Sequence, residues 1–115
     1  MSFAMVALGG ALGSMGRYGV SLLAAAWLGT AWPWGTLAVN ILGSTAIGAL
    51  AAQGIEGNVR LFWVTGVLGG FTTFSAFSLE AALLWERAPW MGALYVIASV
   101  ALGLAGFALG WWLGR

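Results

Sequence analysis

Apolar residues fall in four long runs divided by short polar or tryptophan-rich turns, and the runs set the predicted elements. The first spans about Phe3 to Leu28, long enough to cross a hydrocarbon core that needs roughly 20 helical residues at about 1.5 Å each. No basic stretch precedes it and three further runs follow, so it reads as a mature helix rather than a signal peptide. Trp27, Trp32 and Trp34 around Pro33 mark a boundary turn with an aromatic belt. The second run covers 35–53, and Gly54 to Asn58 (GIEGN) is a polar turn. The third covers 59–87, the next turn holds Glu86, Arg87, Ala88 and Pro89 between Trp85 and Trp90, and the fourth covers 90–113. The pattern predicts an all-α membrane protein, residues 1–115 forming a single four-helix transmembrane domain.

The third run is too long for one straight crossing: it would reach about 43 Å where the hydrocarbon is about 30 Å thick. Its middle, GVLGGFTTFSAFSLE from Gly66 to Glu80, offers an interruption. Paired glycines at Gly69 and Gly70 followed by β-branched Thr72 and Thr73 make poor helix interior, so a break near the midplane is expected. Half-helix ends at that depth are ion sites, because their carbonyls and amides lack partners. After the break, Phe74, Phe77 and Ser78 share one side of the resumed helix.

Composition sharpens this picture. The chain is 62% hydrophobic with four basic and three acidic residues, and it has no histidine or cysteine. Disulfides, thiolate nucleophiles and the usual zinc ligands are thereby excluded, and no nucleophile with a neighbouring base supports an enzyme. A net charge of +1 gives no case for nucleic acid. Arg17 lies within an uncharged stretch of the first run; it is either functional or snorkels or fixes a loop by hydrogen bonds. Glu80 is either a partner for an arginine or the mark of a water-filled vestibule. Basic residues divide almost evenly between the two sides of a four-span chain, so insertion both ways up, as an antiparallel pair, is expected.

Two polar stripes complete the inventory. Thr36, Asn40, Ser44 and Gly48 recur every four residues in the second run, and Tyr95, Ser99, Gly103 and Phe107 do so in the fourth. Interhelical hydrogen bonding explains Ser44 by itself, whereas the buried amide of Asn40 calls for a task. Tyr95 and Ser99 are either packing groups or, together with the Asn40 stripe and the side of the third run that carries Phe74, Phe77 and Ser78, the wall of a hydroxyl-lined path. Hydroxyl and amide donors with electropositive ring edges, and no carboxylate ring, suit a small anion. The rival readings are a proton-coupled multidrug exporter built on Glu80 and a non-transporting packing subunit.

The segments GGALGSMGRYGVS, PWGTLAVNILGS and GVLGGFTTFSAFSLE resemble the Fluc (CrcB) family of bacterial fluoride channels over nearly the whole chain. The resemblance implies an antiparallel, dual-topology homodimer in the bacterial inner membrane that lets fluoride leave the cytoplasm passively and so lowers its toxicity. It places Phe74, Phe77, Asn40, Tyr95 and Ser99 along the fluoride pathway, Arg17 near the vestibule and Thr36 near a pore entrance. It also implies a structural Na+, not transported, on the backbone carbonyls of Gly69 and Thr72 from both subunits. The chain departs from the pattern at Gly103, where some members carry a further hydroxyl.

Overall fold

The computed structural model describes residues 1–115, and they are helical almost throughout. Helix α1 spans Ser2–Leu28 and α2 spans Trp34–Ala52. The third run is divided into α3 (Gly57–Arg60), a π-helical stretch (Leu61–Leu68), α4 (Gly69–Phe71) and α5 (Phe74–Arg87), and α6 spans Pro89–Gly114. Gly29 closes α1 at φ 81°, and Gly54 and Gly57 turn the chain between α2 and α3 at φ 68° and 64°; such angles favour a residue without a Cβ. Pro89 opens α6, where its missing N–H removes no helical bond.

The molecule measures 45 × 28 × 23 Å, and its long axis matches a bilayer of about 40–45 Å including headgroups. Trp34–Ala52, Gly57–Arg87 and Pro89–Gly114 are long and apolar enough to cross a membrane. Helix α1 has the length, but Arg17 and its glycines and serines lower its apolarity. Only five hydrophobic residues are buried, Leu37, Val39, Leu68, Leu84 and Tyr95, while leucines and tryptophans on every long helix face outward. That inversion of a soluble core, with the span-forming helices, marks a multi-pass membrane protein.

Small residues bring the helices together. A methyl at Gly70 would meet the Gly10 carbonyl oxygen at 2.6 Å, and one at Gly9 would meet Gly66 Cα at 2.8 Å, so α1 lies backbone to backbone on the 61–71 stretch. Likewise Gly106 sits against Thr45 and Gly114 against Ala49. Those contacts advance together, so α2 and α6 run parallel. The 61–71 stretch packs on α1, whereas α5 packs on α6. The interruption between them, at the midpoint of 57–87, thus lets one membrane run change neighbours.

Candidate functional site

The helix stops because two consecutive residues turn extended: Thr72 has φ −88°, ψ 156° and Thr73 has φ −149°, ψ 124°. The Thr73 backbone is held instead by Asn40. Its N–H donates to Asn40 Oδ1 at 2.9 Å, and its carbonyl accepts from Asn40 Nδ2 at 3.0 Å. An unbroken helix would have sent that N–H to the Gly69 carbonyl. Arg17 Nε donates to the Gly70 carbonyl oxygen at 3.1 Å, so the guanidinium covers an end carbonyl of the first half-helix. Of the alternatives for Arg17, the structure shows fixing by a hydrogen bond. On the other side of the break, Thr73 Oγ1 accepts the Ala76 N–H at 3.1 Å and caps α5. The N–H groups of Phe74 and Ser75, the first two of α5, have no acceptor within the helix.

No cluster of acidic or imidazole side chains is present to hold a metal. A cation at the break would therefore meet neutral oxygens. The diversion of the Thr73 N–H to Asn40 frees the Gly69 carbonyl from its helical donor, and extended Thr72 takes its own carbonyl out of the helical ladder. Such a donor set fits a hard monovalent cation.

A second centre lies beyond the break. Thr36 Oγ1 donates to Glu80 Oε1 at 2.6 Å and the Tyr95 hydroxyl donates to Glu80 Oε2 at 3.4 Å. The latter is long for an O–H···O contact, so Thr36 is the tighter partner. Of the two readings for Glu80, no arginine pairs with it, since Arg17 is engaged by Gly70 and Arg87 Nη1 donates to the Ala31 carbonyl at 2.8 Å; Glu80 instead borders a cavity. Tyr95 is fully buried within an aromatic row. Phe74 and Phe77 have ring centroids 5.5 Å apart, Phe77 and Tyr95 5.3 Å, and Trp32 stands edge-on to Tyr95 at 5.7 Å. Nothing in the local pattern around Trp32 places it at the site. Only the fold brings the boundary loop over Tyr95, where an inverse γ-turn at Pro33 (φ −79°, ψ 66°) fixes it.

The remaining candidates divide by what their hydroxyls do. Ser78 Oγ donates to the Phe74 carbonyl of its own helix at 2.9 Å, while Ser99 Oγ is buried with no hydrogen-bond partner. Phe74 is 78% exposed in the single chain. Two cavities reach this region. One of about 620 Å³ lies at the 29–33 loop and the start of α2 and is bordered by Ser21, Trp32, Thr36, Glu80, Glu86 and Arg87. The other, about 320 Å³, lies at the break and is bordered by Asn40, Ser44, Gly69, Thr72, Thr73 and Phe74.

The family model described as CrcB-like protein, Camphor Resistance (CrcB), matches residues 4–111. The chain is 50% identical to a protein of Hyphomonas neptunium named fluoride-specific ion channel FluC, over 98% of this chain and 94% of that one. Proteins of the same name from Paracoccus denitrificans and Agrobacterium fabrum are 52% and 49% identical, covering 99% and 100% of this chain and 94% and 97% of their own lengths. With a family match and relatives at half identity across nearly every residue, the chain belongs to the CrcB family.

Proposed function

We propose that this protein is a fluoride-selective channel through which fluoride leaves the cytoplasm passively, lowering its concentration and toxicity. The geometric observation that carries the reading is Ser99. A buried hydroxyl with no protein partner at hydrogen-bond distance, one helical turn from Tyr95 and near its hydroxyl, is a donor open to a ligand. Relatives named fluoride-specific ion channels supply the identity of that ligand.

In this reading the ion exchanges its water shell for hydroxyl donors and the positive edges of Phe74 and Phe77. Thr36 and Tyr95, whose hydroxyls point at Glu80 when no ion is near, rotate to donate to an arriving anion and return once it leaves. Asn40 acts mainly by holding Thr73, which sets the direction of α5 and its first two amides. Those amides present the positive end of the helix dipole to an anion. Arg17, at the Gly70 carbonyl, adds positive charge near the entrance.

The assembly is four membrane-spanning segments per subunit and two subunits in antiparallel orientation, in the bacterial inner membrane. Exposed Phe74 and the open cavity at the break support this, since a second subunit would cover both. The carbonyls of Gly69 and Thr72 from both subunits would hold a structural Na+ that neutralises their partial charges and is not transported. The exporter reading is disfavoured because Glu80 is engaged by two hydroxyls.

The test is fluoride efflux from liposomes read with a fluoride electrode. Wild type is expected to release fluoride quickly and retain chloride, and Phe77→Ile is expected to be nearly silent. Absence of fluoride flux from wild type, or equal passage of chloride, overturns the reading.

A further inference from the structure

The stripe on α6 runs Tyr95, Ser99, Gly103, and at its third step α6 has no side chain to offer. The space is not apolar. A Cβ built on Gly103 would lie 3.7 Å from Ser44 Oγ on α2, and apart from the adjoining backbone of its own helix it would meet nothing else within 4 Å. Spacing alone suggests interhelical hydrogen bonding for Ser44, yet its hydroxyl makes no hydrogen bond with the protein. It borders the 320 Å³ cavity at the break with Asn40, Thr73 and Phe74. Ser44 thus lies between that cavity and the gap over Gly103.

The register of the two helices gives this position its meaning. Thr36 and Tyr95 meet on Glu80, and Ser44 and Gly103 stand eight residues further along both parallel helices, about 12 Å away at 1.5 Å per residue. Ser99, with its buried unpartnered hydroxyl, falls midway on α6. Hydroxyls therefore occur at each turn of the seam, the third supplied from the opposite helix. A Ser in a helix commonly bonds back to the carbonyl four residues earlier, as Ser78 and Thr45 do here. Ser44 does not, and its proton remains available.

We propose that Ser44 donates its hydroxyl to the permeating anion at the level of Gly103, a donor that α6 itself lacks there. The proposal rests on the fluoride-channel reading and adds a specific ligand to it. Because the donor is needed at a place rather than on a particular helix, moving it across the seam should preserve function. The 3.7 Å separation is ordinary van der Waals contact, so a serine side chain at 103 can be accommodated once Ser44 is shortened to alanine.

The experiment measures fluoride efflux from liposomes for wild type, Ser44→Ala and the double variant Ser44→Ala/Gly103→Ser, each shown by gel filtration to retain the wild-type oligomeric state. Loss of one hydrogen bond to a charged ligand is expected to slow efflux about tenfold in Ser44→Ala. The double variant is expected to recover most of the wild-type rate. Unchanged efflux in Ser44→Ala overturns the proposal, and so does slowed efflux that the double variant fails to restore, which would make Ser44 a packing residue. Absence of flux in wild type would instead overturn the channel reading itself, so the two failures are told apart.

Discussion

Thr36 and Tyr95 sit at one end of the seam between α2 and α6, and both hydroxyls close onto Glu80. Two turns further along the same helices, Ser44 faces a glycine, and Ser99, between the two ends, is buried without a partner. Spacing is alike at the two ends; the differences are a glycine where the first end has a tyrosine, and one carboxylate. Glu80 is delivered to the first end by α5, which packs on α6 only because the third run is broken. The second end faces the break itself, where the Asn40 side chain is engaged by the Thr73 backbone and Ser44 is left without a partner. A stripe of polar residues in a membrane helix therefore contains two populations, hydroxyls resting on a carboxylate and hydroxyls with no protein partner.

The comparison is broken most severely at Asn40. Asn40→Ala leaves both the N–H and the carbonyl of Thr73 unpaired, each costing about 1–3 kcal/mol. The expected outcome is a lower unfolding temperature in detergent together with loss of fluoride efflux, since α5 loses its anchor. Full stability with full flux would show that the break sustains itself. A smaller effect is expected at the closed end. Thr36→Val deletes the 2.6 Å bond to Glu80 at nearly constant volume, and efflux should fall about tenfold, as for one charge-assisted hydrogen bond. Rates equal to wild type would remove Thr36 from the pathway. Smaller again is the effect of Arg87→Ala. It releases the Ala31 carbonyl and loosens the loop carrying Trp32, but the bond is exposed, so stability should drop by about 1 kcal/mol or less in a denaturation series.

Much of this was legible in the sequence, for local reasons. Four apolar runs and their turns follow from hydropathy and tryptophan placement. The interruption follows from two glycines and two β-branched residues in a run too long for the bilayer, and the chain leaves the helix at those threonines. What local pattern does not carry is partner identity. Arg17 meets Gly70 from 53 residues away, and Glu80 takes hydroxyls from two different helices. Ser44 and Ser78 look alike as serines in membrane helices. Only coordinates show one free and the other bonded to Phe74. The π-helical stretch at Leu61–Leu68 also lacks a local signature, having no proline and a single glycine at Gly66.

The central claim is that hydroxyls not tied back to their own helix backbone carry the ion, whereas those tied back do not. It is tested most directly by fluoride efflux from liposomes for Ser99→Ala beside Ser78→Ala. Removing the buried, unpartnered Ser99 hydroxyl is expected to slow efflux about tenfold, while removing the Ser78 hydroxyl, which is engaged within its own helix, should leave the rate within about twofold of wild type. Equal rates in the two variants, or the larger loss in Ser78→Ala, would contradict the account.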